Sequence, residues 1–337
     1  MSAQINDSHG FVEDGHNSYI RFWGTRYLPV ELKFIEGKLM VSKILNNDLG
    51  KKEDWQIGDI IASIKNKPIN EIRNEIVRFV PASNEWTALG DIAPLISRTN
   101  DSTLKIEVLR NNKKNKKVVR SYTYNEIFPS KKEVEISSVY KWLRSGIGYI
   151  NNSELTTYNL SSIFAEFENA KGIVIDLRNY PTENLVYALP NYLSMKSTPF
   201  AKSLLPQLED PGTFAFSKPI ETGNNHSFTN QYAGKVVYII DETTQSSSEF
   251  HAMAYSTYPN SLTIGSNSAG ADGDISEIIF PGYVKTRFSG IGIFYPNGKQ
   301  TQRIGIVPDI IVKPTIQGVK ARKDEVLEKA IEILSRK

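Results

Sequence analysis

Apolar positions along the chain follow two rhythms. From Tyr27 to about Tyr122 they form short runs, apolar throughout or alternating with polar residues, cut by turn signals. The runs "LPVELKF" and "KLMVSKI" flank Glu36-Gly37 and predict a hairpin. In "WQIGDIIASIKNKPINEI", Gly58-Asp59 turns into a strand over Ile60 to Ile64, "KNKP" turns again, and a short helix follows. "STLKIEVLRNNKKNKKVVRSYTY" reads as a second hairpin with a basic tip, for which a solvated turn is account enough. From about Glu133 strands alternate with helices. "GIGYI", "GIVIDL", "KVVYIID" and "SLTIG" are the strands; the middle two are continuous apolar runs, as in a parallel sheet buried on both faces. "NLSSIFAEFENA", "TENLVYALPNYL" and "SSSEFHAMAYSTY" are the expected helices between them. This order implies βαβ units with right-handed crossovers. After Gly273 come strands and turns, "DISEIIFPG", "YVKTRFSG" and "IGIFYPNG". "KDEVLEKAIEIL" closes the chain as an amphipathic helix, with Val326, Leu327, Ala330, Ile331 and Leu334 on one side.

Composition removes several classes of function. With 40 basic and 37 acidic residues the net charge is +3, too balanced to predict a nucleic-acid or anionic-membrane partner. No apolar stretch approaches the ~18 residues of a membrane span. The chain has no cysteine, hence no disulfide, thiol nucleophile or thiolate-bound metal. His9, His16, His226 and His251 show no H-E-x-x-H spacing, so neither a metal nor another cofactor is expected. The opening "MSAQINDSHGFVEDGH" is polar, without the features of a signal peptide, and residues 1–24 read as the end of a truncated N-terminal region.

Candidate chemistry lies in "IIDETTQSSSEFHAM", where three serines stand between a buried strand and a helix. A hydroxyl there is held by a rigid scaffold, and the free N–H groups of the helix's first turn face any anion formed nearby. Acyl transfer needs both features. The same residues also fit a helix start alone, since Ser246-x-x-Glu249 is a capping-box pattern.

The wider stretch "DETTQSSSEF" resembles the nucleophile segment of the C-terminal processing peptidase and tricorn family of serine peptidases, D-x-G-T-A-S-A-S-E-[IL]. Asp241, Thr244, Ser246, Ser248 and Glu249 are shared, and the family's nucleophile falls on Ser246. "GIVIDLRNYPTE" resembles the family's D-L-R-x-N-x-G-G turn, "LTIGSNSAGADGD" its glycine-rich loop, and "GIVPDIIV" its closing G-I-x-P-D motif. The β-rich first part, with Gly58-Asp59 ahead of an apolar strand, resembles a PDZ domain carrying the insertion "RFVPASNEWTALGDIAPLISRTN". Such domains bind extended chain ends at a sheet edge.

Where most of the family has a lysine base the chain has Ala271, which accepts no proton. The "SAGADG" loop resembles instead the histidine-using branch of the chlamydial protease-like activity factor, whose base lies in an upstream D-x-H segment. "INDSHGFV" matches that segment and assigns the base to His9, with His16 of Asp14-Gly15-His16 in reserve. The tricorn position for the histidine is held here by Asn151-Asn152. His251 sits five residues beyond Ser246 on one helix, well over 100° around it at ~100° per residue. His226 has no evident partner. The branch's ring-orienting glutamate corresponds to Gln302, an amide that accepts a ring N–H without supplying a full charge. The oxyanion hole would use the N–H of Ser247 and a donor from the "DLRNYPTE" turn, either Tyr180 or Thr182, because Pro181 has no N–H.

Taken together, the resemblance implies an α/β fold: a crotonase (ClpP)-like layered core over 133–337, preceded by a small mostly-β PDZ-like domain over 25–125. It implies a serine endopeptidase acting on polypeptide substrates through an acyl-enzyme, outside the cytoplasm in the periplasm or at the cell surface. The competing expectation is an inactive peptidase scaffold that binds polypeptides; Ala271, the missing turn glycines and Gln302 point that way. A crotonase-type acyl-CoA enzyme shares the core but leaves the S-x-S-E segment unexplained. Oligomeric state and substrate identity are not encoded legibly.

Overall fold

The structure, a computed structural model, describes residues 2–14, 16–129, 139–193, 196–223 and 231–336. His226 and the expected start of the core at Glu133 lie outside the described residues. Near the amino terminus, β1 (Phe11–Glu13) pairs antiparallel with Val284–Ser289, far along the chain.

The first module is a mostly antiparallel sheet of β2 (Val30–Ile35), β3 (Lys38–Ile44), β4 (Ile60–Ile64), β5 (Thr103–Arg110) and β6 (Lys113–Arg120), in that spatial order. Both hairpin turns carry two successive residues at positive φ: Glu36 and Gly37 at 50° and 72°, Asn111 and Asn112 at 51° and 63°. This is the turn geometry that matches strand twist. Between β4 and β5 the expected insertion forms α1 (Glu85–Ile96), capped by Asn84, whose side chain accepts the Thr87 N–H at 3.0 Å. Ala88, Ile92 and Ile96 repeat at helical spacing and bury this face against Leu32, Leu39, Val41 and Ile106.

The second module opens with β7 (Tyr140–Leu143), then β8 (Ile147–Asn151), α2 (Thr157–Glu166), β9 (Gly172–Asp176), β10 (Lys235–Ile240), α3 (Ser247–Tyr255) and β11 (Ser261–Gly265). A projecting hairpin, β12 (Ile275–Phe280) and β13 (Val284–Ser289), receives β1 on its inner strand. The strand β14 (Ile310–Ile311) and helix α4 (Glu325–Ser335) complete it. Its six-stranded sheet runs β7-β8-β9-β10-β11-β14, parallel throughout except at β7. Side chains of β9 and β10 alternate between two cores. Ile173, Ile175, Tyr238 and Ile240 face α2 and α3, while Val174, Val237 and Ile239 face α4 with Val326, Ala330 and Ile331. Full burial stabilises each such aliphatic side chain by about 1.5–3 kcal/mol. The loops leaving the carboxyl ends of β9, β10 and β11 are therefore fixed in place, and ligand sites of open α/β sheets lie at such ends.

One expected element is not present. "TENLVYALPNYL" forms turns and a short 3₁₀ segment, Leu189–Tyr192, in place of a helix. Pro181 stands just ahead of this stretch and Pro190 within it; proline lacks the N–H that a helix interior requires and disfavours helical geometry in the residue before it.

Candidate active site

Ser246 is the residue before α3, at φ 55° and ψ −121°, a conformation that a non-glycine residue adopts only when its surroundings impose it. Its N–H is held by the Ala271 carbonyl at 3.0 Å and Glu249 Oε2 at 3.1 Å. The capping-box reading is thus correct for Glu249, which folds back onto the Ser246 backbone. Glu249 is fully buried, and its carboxylate also accepts the N–H groups of Gly270 at 2.8 Å and Ala271 at 2.9 Å and the Ser268 hydroxyl at 2.5 Å. Burial pushes its carboxyl up, against the pull of these bonds. The loop that it grips needs its glycines. A Cβ at Gly265, φ 127°, would lie 1.9 Å from the Ile240 carbonyl oxygen, and Gly270, φ 73°, lies against the Arg303 backbone. From the first module Asn84 Nδ2 donates to Ala269 O at 2.7 Å and Trp86 Nε1 to Ser268 O at 2.9 Å, bracing the same loop.

The hydroxyls around Ser246 have separate tasks. Ser248 Oγ donates to Asn179 O at 3.0 Å, Thr244 Oγ1 to Leu177 O at 3.1 Å, and Thr243 Oγ1 to Arg178 O at 2.5 Å. Three consecutive carbonyls of the turn after β9 are thereby tied to the segment that carries Ser246. Arg178 anchors that turn from the other side through paired bonds to Asp176 and Asp324. Of the expected oxyanion donors, Thr182 gives its N–H to Ser153 O at 3.2 Å, so that donor is already engaged. Tyr180 sits at the turn's tip, 62 % exposed, and Ser247 opens α3 beside Ser246.

The amino-terminal segment reaches this site from the other end of the chain. Gln245 Nε2 donates to Ser8 O at 3.2 Å, directly between the neighbours of Ser246 and His9. Arg303 donates to the carbonyls of Ile5 and Asn6, at 2.9 and 3.3 Å. Ser8 and Ser83 exchange backbone-to-hydroxyl bonds of 2.8 and 2.9 Å, so the segment is wedged between the two modules. His9 is 7 % exposed. Its Nδ1 lies 3.0 Å from Ser289 Oγ, while its Nε2, also buried, has no hydrogen-bond partner among the described residues. Ser289 Oγ gives its one hydrogen to Asp7 Oδ1 at 3.0 Å, and Asp7 also accepts the N–H groups of His9 at 3.0 Å and Ser289 at 2.5 Å. The hydroxyl can therefore only accept from the ring. That fixes the Nδ1–H tautomer and leaves the Nε2 lone pair free. Burial lowers the His9 pKa, and Asp7 and Asp274 partly restore it.

Gln302 does not hold this ring: Ser289 meets Nδ1, and Gln302 lies half-buried in the turn between Thr301 and Arg303. Sequence reasoning missed Ser289, which comes to His9 only through the pairing of β1 with β13; Asp7 was visible as the first letter of D-x-H. His16 is exposed, its backbone N–H bonded to Asp14 Oδ1 at 3.2 Å. His251 is fully buried with both ring nitrogens engaged, Nδ1 on Ser247 O at 2.5 Å and Nε2 on the Leu185 N–H at 2.8 Å. It is no base for Ser246. A further unforeseen group is Asp272, 6 % exposed, whose carboxylate oxygens have no partner among the described residues. Burial, Glu249 and Asp274 push its carboxyl far up, toward the neutral form.

A strained serine at a helix tip, backbone donors and a buried imidazole with a free nitrogen are the parts of a serine-type peptidase. Residues 146–312 match the model of peptidase family S41, and the chain belongs to that family. A comparison with curated protein sequences finds no match. Among solved structures the chain is similar to mature CPAF, with TM-score 0.70, 13 % identity, and 99 % of this chain and 85 % of that chain covered. Mature CPAF complexed with lactacystin gives TM-score 0.69 and 14 % identity over 99 % and 86 % of the two chains. A presumed peptidase from Parabacteroides merdae gives TM-score 0.52 and 17 % identity over 81 % and 90 %. At these identities the likeness concerns the α/β fold.

Proposed function

We propose that this chain is a serine endopeptidase that cleaves polypeptides through an acyl-enzyme at Ser246, with His9 as general base. The observation that carries the reading is the buried His9 imidazole, held through Nδ1 and free at Nε2, on a segment bonded to the residue preceding Ser246. In this reading Nε2 takes the Ser246 proton as the hydroxyl attacks the scissile carbonyl and returns it to the leaving amine. Water then releases the acyl group by the same route. Ser289 and Asp7 hold the ring and stabilise the imidazolium. The Ser247 N–H and a donor of the turn at Tyr180 face the oxyanion. The β-rich module over 25–125, read as PDZ-like, delivers polypeptide ends. Family membership favours an extracytoplasmic setting; among the described residues no helix is long and apolar enough to cross a membrane.

The test is hydrolysis of dye-labelled, unfolded casein. Ser246→Ala should abolish it, and His9→Ala should lower it about 10²- to 10⁴-fold, the usual contribution of a general base. One observation favours a second reading, a non-catalytic polypeptide binder: the Thr182 N–H is bonded to Ser153 O in the turn that should supply an oxyanion donor. Casein bound and uncleaved by correctly folded protein would select that reading.

A further inference from the structure

The His251 imidazole spans two elements that the proposed chemistry needs in register. Its Nδ1 meets the carbonyl of Ser247, 2.5 Å away in the first turn of α3, so Nδ1 carries the hydrogen. Its Nε2 accepts the Leu185 N–H at 2.8 Å. Leu185 is fully buried and ends the turn that begins at Asp176 and carries Tyr180. In the proposed reading Ser247 is the residue whose N–H faces the oxyanion. Ser248 also ties α3 to this turn, but at its first half, where Thr243 and Thr244 bond as well; His251 bonds the second half, at Leu185, and Glu183 ties the far end to Thr157. Tyr255 packs edge-on against the ring with centroids 5.4 Å apart, which fixes its plane.

We infer that His251 is a positioning residue that sets the spacing of the oxyanion hole, by holding Ser247 and Leu185 on the two nitrogens of one neutral ring. The inference rests on the proposed peptidase reading. Only the Nδ1–H tautomer satisfies both contacts, since a hydrogen on Nε2 would oppose the Leu185 N–H. A rigid aromatic ring suits the task because it transmits position without rotamer freedom between its two bonds. Oxyanion donors act at one distance from the developing charge, so a small drift of either wall affects the transition state and hardly the bound substrate.

The experiment measures inactivation by an alkyl fluorophosphonate, in which the phosphonyl oxygen occupies the oxyanion hole, together with casein hydrolysis. His251→Phe keeps the ring's bulk and removes both hydrogen bonds. We expect its maximal inactivation rate and kcat to fall about 10- to 100-fold, with the reagent's half-saturation and KM within about 2-fold. His251→Gln, which retains a donor and an acceptor, should recover part of the loss. A general loosening of the fold would move KM and rate together, and equal loss in both would overturn the inference. So would wild-type rates in a folded His251→Phe protein. If His251→Phe does not fold, nitrogen NMR of ¹⁵N-histidine wild type decides: Nδ1 protonated and Nε2 bare supports the inference, and a protonated Nε2 contradicts it. Wild-type protein that is folded and inert to the reagent would remove the peptidase reading and this inference with it, a result distinct from an active wild type with unaffected variants.

Discussion

Ser289 Oγ stands 3.0 Å from His9 Nδ1 across 280 residues of sequence, and passes its own hydrogen to Asp7. A hydroxyl thus lies between the imidazole and the carboxylate, which is 4.0 Å from Nδ1 at its nearer oxygen. The negative charge acts at one remove, and the hydroxyl aims the ring.

It follows that Ser289→Ala lowers kcat/KM for casein about 10-fold, the worth of about 1.4 kcal/mol for one hydrogen bond. Asp7→Asn should cost more, about 100-fold, because a charge is lost along with its bonds to the Ser289 and His9 backbone. Gln302→Ala should remain within about 2-fold of wild type. Steady-state kinetics of the three variants separates this arrangement from one in which Gln302 orients the ring.

The acid limb of kcat/KM should fall below pH 6.5. Burial favours the neutral imidazole, so His9 stays unprotonated to lower pH than an exposed histidine. Asp7 favours the imidazolium, and its removal in Asp7→Asn should move the limb further toward acid. A pH–rate profile of both proteins reads the sign directly.

Glu249→Gln should destabilise the protein by about 2–4 kcal/mol. Three N–H groups and a hydroxyl converge on the carboxylate, and the new amide would turn a donor toward some of them. Because those bonds set the Ser246 and Gly270-Ala271 backbones, fluorophosphonate labelling should drop as well. Denaturant unfolding and labelling of the native fraction measure the two effects independently.

Acid should weaken the fold through His251. Its pKa is lowered to about 4, by burial, from 6.5. The unfolded chain therefore binds the proton first as pH falls, and this contribution is complete above 6.5 and lost progressively toward 4, up to about 3 kcal/mol. Asp241, pushed up to about 6 mainly by burial, acts with the opposite sign in part of that window. The measurable quantity is the difference: wild type minus His251→Phe stability should grow with pH between about 4 and 6.5.

Much of this was legible in the sequence. Continuous apolar runs announced the parallel strands, because a sheet covered on both faces needs no polar side. S-x-S-E marked the cap that Glu249 makes on the Ser246 backbone, and the D-x-H segment placed Asp7 where it accepts the His9 N–H, although nothing local reveals where the polar opening would fold. The remainder depends on tertiary pairing. Ser289 is an unremarkable strand residue until β13 accepts β1 and brings it to His9. Thr182 looks like a free donor until Ser153 takes its N–H. The stretch around Val186 alternates like a helix, yet Pro181 and Pro190 keep it as turns. Nor do the hydroxyls of this segment sort themselves by residue type: Thr243, Thr244 and Ser248 resemble Ser246 in sequence and differ in having carbonyls to bind.

Mass spectrometry of protein treated with a fluorophosphonate tests the central claim most directly. The account predicts one adduct, on the peptide containing Ser246, formed by the wild type and suppressed in His9→Ala. Equal adduct formation with and without the His9 imidazole, or a modification that bypasses Ser246, would contradict it.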